Sequence, residues 1–530
     1  MPKTSRYGVI GLKELLIAIH QKWENDRISL LMSADEITAS LKRTSVAEPG
    51  ADIRLIDLAV ALYKRDYDEK FGGFGISPKF PVAHNLLFLL THYEKSGDRD
   101  SLKMAEMTLL QMYSGGLFDH IGYGFCRYST DRYFLVPHFE KMLYDNALLI
   151  IAYCKAYQIT KKPVYKDVVQ KTASYVLREM TSSKGGFFTA QDADSEGEEG
   201  KYYFFEPSEI ISLLGEKVGK SFNNYYGITK EGNFKGKSIP NLLQNNAVED
   251  KFDEHLTKLY EYRRQRSKLY LDDKILTSWN SFMITAMCYL YRVSRNTKYL
   301  NAAKKAEKFI EENLCDDDTL FVSFRAGRHG EKGFLDEYAD YIYSLLALYD
   351  ATLNMSFLEK AQRFYKKAIS KFYDMEQGGF YLYGKGNETL ILRPKETYDG
   401  AIPSGNSIMT YNLVHLFYLT KDEEIEKILK RQIDFMCGEA RNYPAGYAMF
   451  LVALSDYFEP LQDITVVLKN KEDAKDLPFI TPLESIVRVF YKPTDEYPIK
   501  DEKTTFYVCQ NHSCMPPVND LKGMDKSSER

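Results

Sequence analysis

Two tryptophans and seven cysteines are few for a chain of 530 residues, and no Cys-x-x-Cys spacing occurs among them. Without that spacing the chain carries no thioredoxin-type redox pair. Most of the cysteines sit in apolar runs such as Ala152-Tyr153-Cys154, as small buried hydrophobes do. Long apolar runs are missing as well. Tyr, His, Lys or Asp interrupts each one before the ~20 residues that a membrane-spanning helix needs. Charge of one sign is lacking, because 70 basic residues stand against 74 acidic ones for a net charge of −4. No basic stripe supports a nucleic-acid partner. Met1 to Arg6 lead into no apolar h-region, which reads against a secretory signal. The expectation is a reducing, cytoplasmic location, with neither membrane nor nucleic acid as partner.

What the chain has in excess is tyrosine and phenylalanine: 40 Tyr and 31 Phe bring aromatics to 14%. Such side chains suit helix packing or the wall of a polar-ligand cleft. Helical patterns dominate and come in two kinds. Those at 81–95, 139–159, 277–294, 335–353, 404–418 and 443–457 are apolar on several faces, as buried helices are. Those at 52–68, 100–113, 164–181, 299–313, 357–373 and 422–437 are one-sided and read as outer helices. Phe71-Gly72-Gly73-Phe74, Gly115-Gly116-Leu117-Phe118, Gly185-Gly186-Phe187-Phe188 and Gly378-Gly379-Phe380-Tyr381 each close an outer helix. Outer–inner pairs cannot bury their faces alone, so six of them are expected to close into a mainly α (α/α)6 toroid over 46–460, with a long insertion at 182–275. A single helical pattern runs from Leu12 to Leu41. Residues 461–520 turn to short β-rich runs in a small α/β appendage, and 521–530 read as a flexible tail.

Several blocks are long enough to support a family resemblance. They include Pro78-Lys79-Phe80-Pro81, Gly116-Leu117-Phe118-Asp119-His120, Pro137-His138-Phe139-Glu140-Lys141-Met142-Leu143-Tyr144-Asp145-Asn146, the acidic run from Asp192 to Gly200, Leu276-Thr277-Ser278-Trp279-Asn280 and Asp399 to Asn406. Together they closely resemble the spermatogenesis-associated protein 20 family of thioredoxin-domain proteins. The resemblance implies a fold similar to six-hairpin glycosidases and N-acylglucosamine 2-epimerases. It also implies an N-terminal thioredoxin-like domain with a Cys-x-x-Cys-His motif. Here residues 1–45, with Trp23, read as the end of that domain. A chain shortened at its start, or loss of the redox half, would explain this. A redox partner is expected only for a form that has the whole domain.

The candidate chemistry is carried by acids and histidines. His138, Met142 and Asp145 fall at i, i+4 and i+7, so they share one helix face, which on an inner helix can look into the cleft. An imidazole and a carboxyl in an apolar wall can exchange protons near neutral pH. Asp119 and His120, followed by Arg127, Tyr128 and Asp131, form a second acid/base candidate or a hydrogen-bonded loop. Asp336 and Asp340, at i and i+4 with Glu337 between, put like charges on one buried face, which is unfavourable unless one is protonated or a ligand or cation intervenes. Trp279 suits stacking on a sugar ring, and Asn280 follows it. Asp399, Ser404 and Asn406 prepare the next inner helix, Ser404 as its N-cap. Asp192, Asp194, Glu196 and Gly197 imitate an EF-hand, but Tyr203 falls where a bidentate Glu is needed, so the loop is read instead as folding over the cleft mouth. Cys509, His512 and Cys514 offer three ligands where structural zinc takes four; a buried strand end or a redox pair fits as well, and no metal or cofactor is expected.

The leading expectation is a carbohydrate-active protein that holds a sugar or polyol in the cleft. His138, Asp145, Asp119, His120, Asp336 and Asp340 would do the acid/base work, in the manner of a glycoside hydrolase or a sugar epimerase. Arg127, Tyr128, Asp192, Asp194, Trp279, Asn280, Asp399, Ser404 and Asn406 would contact substrate. The alternative is a non-catalytic scaffold attached to a thioredoxin-like redox module.

Overall fold

The computed structural model describes residues 1–6, 8–42, 50–245, 252–386, 391–510 and 513–521. It divides into two compact units, Met1–Glu48 with Gly386–Pro394, and Pro49–Lys385 with Lys395–Arg530. The first unit holds two helices, α1 (Leu12–Asn25) and α2 (Arg27–Lys42), where one continuous pattern was expected. Asp26 interrupts it: its backbone leaves the helical region, and its carboxylate accepts the Ser29 N–H at 3.3 Å to start the second helix. His512 and residues 522–530 lie outside the described residues.

The second unit is a closed ring of helix pairs. Outer helices are α3 (Arg54–Asp66), α5 (Arg99–Ser114), α7 (Pro163–Glu179), α12 (Thr297–Asn313), α14 (Met355–Phe372) and α16 (Glu423–Ala440). Inner helices are α4 (Ala83–Ser96), α6 (Leu143–Thr160), α11 (Thr277–Ser294), α13 (Leu335–Thr352), α15 (Gly405–Thr420) and α17 (Ala448–Phe458). Each inner helix packs on the next in the order α4, α6, α11, α13, α15, α17, and α17 returns to α4, which closes the (α/α)6 toroid. The insertion contributes α8 (Pro207–Leu214), α9 (Glu216–Tyr225) and α10 (Asp253–Arg266).

Local chemistry explains both kinds of connection. Inner helices pass to outer ones through two residues, Gly97-Asp98, Lys161-Lys162, Arg295-Asn296, Leu353-Asn354 and Lys421-Asp422. The first is left-handed, with φ between 53° and 75°. The second extends the chain and, at Asp98, Asn296, Asn354 and Asp422, caps the outer helix by accepting the N–H two residues on. So short a link makes successive helices antiparallel, and the six inner helices therefore run parallel. Their N-termini share one mouth of the toroid.

Outer helices return through glycine turns locked by asparagines. The Asn280 carboxamide accepts the Phe187 N–H at 2.7 Å and donates to the Phe187 carbonyl at 3.0 Å. Asn406 grips Phe380 in the same way at 2.8 and 2.9 Å, and Asn146 grips Phe125 at 2.8 and 3.0 Å. Buried Asp–Lys pairs brace these returns: Asp68–Lys79 at 2.7 Å, Asp119–Lys141 at 2.8 Å and Asp374–Lys395 at 2.8 Å.

The opposite mouth is stoppered by the C-terminal segment. Its sheet runs in the order Ile486–Phe490, Asp463–Val467, Thr505–Gln510, Ser513–Cys514, the first pair parallel and the others antiparallel. Before it, α18 (Leu477–Ile480) and the following turn lie on the inner-helix C-termini. Arg292, at the end of α11, donates to the carbonyls of Pro478, Thr481, Pro482 and Leu483. Glu484 inserts against the fully buried Lys155, which also pairs with Glu94 at 2.5 Å. Cationic side chains at helix C-termini complement the helix dipoles. Cys509 and Cys514 form a disulfide across the last hairpin, and this uses up the two thiols of the zinc alternative.

Candidate functional site

Six parallel N-termini converge on this mouth, and two groups of acids sit there. The first surrounds Asp145 on the opening turn of α6. Burial pushes its carboxyl well above the usual carboxylate range, against the pull of Arg127, and Glu140 adds to the rise. One carboxylate oxygen is buried without a hydrogen-bond partner. Arg127 reaches Glu140 at 3.0 Å, and the neighbouring Tyr144 meets half-buried Trp279 edge-on at 4.7 Å between ring centres.

The second group lies two helices further round, on α13. Ser278, beside Trp279 on α11, donates to Asp340 on α13 at 2.5 Å, and the other Asp340 oxygen is buried with no partner. Burial, with Asp336 as a like charge, raises the Asp340 pKa well above 3.8. Burial and Glu396 raise Asp336 to about 6. Asp336 leans on the start of α15: a β-carbon on Gly405 would stand 2.5 Å from its carboxylate, so the site needs glycine there. Glu337 is turned away and accepts the Phe334 N–H at 2.8 Å as a cap.

The other expected residues are placed differently. His138 is not on the helix. Pro137-His138 pairs with Tyr128-Ser129 as a short strand, Lys141-Met142 pairs with Ala190-Gln191, and α6 starts only at Leu143, so the shared face with Met142 and Asp145 is not formed. The His138 ring stacks on Tyr128 and its Nδ1 lies 2.7 Å from Glu199 of an exposed acidic hairpin. Asp192 and Asp194 are exposed at the base of that hairpin, where the Asp192 carboxylate accepts the Asp194 N–H at 3.1 Å. Asp119 is a structural anion: burial alone would raise its pKa, but Arg263 at 2.7 Å and Lys141 at 2.8 Å hold it far below the usual range. His120 is packed between Tyr113, Phe118 and Tyr226, lies 3.1 Å from the Gly115 carbonyl, and is pushed by burial to a pKa of about 4. Asn280 and Asn406 spend their carboxamides on the backbone clamps. Ser404 caps α15 as expected, and Asp399 accepts the Ser404 and Met449 N–H groups, both at 2.8 Å.

Sequence reasoning missed Glu140 and Glu396, which lack helical periodicity, and His84. The latter, on the first turn of α4, is wholly buried beside the Asp399 backbone, with neither ring nitrogen in a well-formed hydrogen bond. Burial takes its pKa down to about 4. Only its place at the start of an inner helix could have flagged it.

The closed ring and its acid-lined mouth define a six-hairpin α/α toroid. Solved structures agree on the fold. Cellobiose 2-epimerase from Bacillus thermoamylovorans matches 76% of this chain and 99% of its own length with a TM-score of 0.51 at 13% identity. A D-mannose isomerase matches 76% and 95% with a TM-score of 0.52 at 13% identity. No protein-family model matches the chain. Human spermatogenesis-associated protein 20 is 30% identical over 96% of this chain and 74% of its own length, and the rat protein is 30% identical over the same shares. The chain belongs to the spermatogenesis-associated protein 20 family. No helix among the described residues is long and apolar enough to cross a membrane.

Proposed function

We propose that the protein binds a sugar or sugar-like polyol at the mouth formed by the inner-helix N-termini and acts on it by carboxyl acid/base chemistry. The observation that carries this reading is the pair of buried carboxyl oxygens, on Asp145 and Asp340, that no protein group satisfies. A polar atom left unpaired in the interior costs about 1–3 kcal/mol, so a ligand hydroxyl that fills it is bound strongly. Trp279 between the two groups offers a face for the C–H side of a sugar ring. Fold neighbours that are named for cellobiose and mannose chemistry lend support.

In this reading Asp145, whose carboxyl burial pushes well above the usual carboxylate range, is the proton donor to a leaving oxygen. Asp336, with a pKa near 6, is ionised and acts as base or nucleophile. Hydrolysis is favoured over epimerisation. Epimerisation needs bases on both faces of the ring, and of the two rim histidines His120 is buried and spent while His138 engages Glu199. A thermal-shift screen of neutral mono- and disaccharides tests the reading. Wild type should be stabilised by at least one of them, and Asp145→Ala should lose the shift. No shift in a well-folded sample would favour a non-catalytic scaffold.

A further inference from the structure

Five of the seven cysteines have the character of packing residues. Cys126, Cys154, Cys288 and Cys437 are buried and Cys315 is half-buried, all as free thiols, and burial pushes each of them up. A thiol held in that way is a poor nucleophile. Cys509 and Cys514 differ. They stand directly opposite each other on the last hairpin, five positions apart in sequence with Cα atoms 4.0 Å apart, and are joined as a disulfide. Cys514 is exposed on the two-residue edge strand Ser513–Cys514, and Cys509 is half-buried at the end of Thr505–Gln510.

The sulfur bridge is not what holds this hairpin. Thr505–Cys509 is paired residue by residue with Asp463–Val467, and Phe506 and Val508 are buried beneath it. Beyond Cys514, the Met515 N–H donates to the Val508 carbonyl at 2.9 Å, and Phe506 and Val518 exchange both backbone hydrogen bonds at 2.7 and 3.0 Å. Both cysteines are thus kept in register by backbone on their own strands. A bridge that closes so short a loop also restricts the unfolded chain less than one across a long loop. An exposed disulfide of this kind belongs with the labile ones rather than the structural ones.

We propose that Cys509 and Cys514 form a thiol–disulfide exchange site, which a dithiol opens and a disulfide closes again while the protein stays folded. The site stands apart from the sugar reading. One thiolate of the dithiol attacks the exposed Sγ of Cys514; the Sγ–Sγ bond breaks, and its electron pair leaves on Cys509, which takes up a proton. The second sulfur of the dithiol then attacks the mixed disulfide and releases Cys514, which takes up the other proton. Two electrons and two protons pass from the dithiol to the cysteine pair, and the dithiol becomes a disulfide. The reverse sequence restores the bridge.

The test is reduction of the full chain by dithiothreitol in native buffer, with the freed thiols alkylated by iodoacetamide and mapped by mass spectrometry. Label should appear at Cys509 and Cys514 and be absent from Cys126, Cys154, Cys288 and Cys437. The rate should rise in proportion to dithiothreitol and change by less than about twofold in urea too dilute to unfold the chain. A rate that levels off with dithiothreitol and follows global unfolding, with the buried cysteines labelled together with the pair, would make the bridge a structural staple and overturn the proposal. Single variants identify the sulfur that is attacked. With oxidised glutathione, Cys509→Ser, which keeps the exposed thiol, should form its mixed disulfide at least about tenfold faster than Cys514→Ser. Equal rates, or the opposite order, would overturn the assignment of Cys514 as the entry point.

Discussion

Asp340 leaves one carboxyl oxygen inside the protein with nothing to receive, and the sign of its pKa shift follows from that. A carboxyl whose pKa is higher folded than unfolded binds more protons in the native state, so stability falls as pH climbs between the two values. Asp399, raised to about 6 from 3.8 mainly by burial, accounts for a loss of roughly 3 kcal/mol over that interval. Asp336 acts in the same direction, and Glu337, raised to about 8, extends the loss to higher pH. Asp68 and Asp374, held low by Arg132, Lys79 and Lys395 despite some burial, contribute in the opposite sense: their stabilisation is present above pH ~4 and lost below it. Denaturant titrations should therefore show maximal stability near pH 5 and a decline toward pH 8. Asp340→Asn, which mimics the protonated acid, should flatten that decline; an unchanged slope would show that Asp340 is already ionised in the folded protein.

At the scale of the element, the inner-helix asparagines separate structure from function. Asn280→Ala and Asn406→Ala each delete two or more buried bonds to backbone, and each should cost about 2–4 kcal/mol in urea unfolding while leaving ligand affinity of the folded fraction unchanged. A large affinity loss without destabilisation would return them to the binding site. The helices themselves were legible in the sequence, because all-round apolarity and one-sided stripes distinguish inner from outer and Gly-Gly-aromatic turns mark the returns. Site roles were only half legible. Asp145 and Asp340 share the trait of an acid set into an apolar helix, and periodicity exposes it. Asp119 and His120 carry the same residue types, yet their fate depends on Arg263, 144 residues away, which no local pattern reports. His138 failed for another reason: strand pairing with residues 128–129 delayed the helix, and a four-residue shift of the start, from 139 to Leu143, removes the shared face.

In the toroid as a whole, one end carries the inner-helix N-termini and the buried acids. The C-terminal segment seals the other through Arg292, Glu484 and the Tyr349 hydroxyl, which donates to the Val487 carbonyl at 2.8 Å. Arg292→Ala removes every guanidinium bond to residues 478–483 and should raise amide exchange across 477–487 at least tenfold, while exchange at the start of α6 stays as in wild type. Faster exchange at both ends would mean that the ring, not the stopper, depends on Arg292. The tyrosine excess also finds part of its place here: Tyr153, Tyr165, Tyr175, Tyr299, Tyr338 and Tyr341 are almost fully buried within the helix pairs and build the ring. The claim on which everything functional turns is that ligand enters at the inner-helix N-termini. A crystal structure of the protein grown with a saturating saccharide tests it most directly. Density for the sugar among Asp145, Trp279, Asp336 and Asp340 is the predicted result. Density only in the groove of about 530 Å³ along α5, lined by Tyr93, Leu102 and Met107, would contradict it.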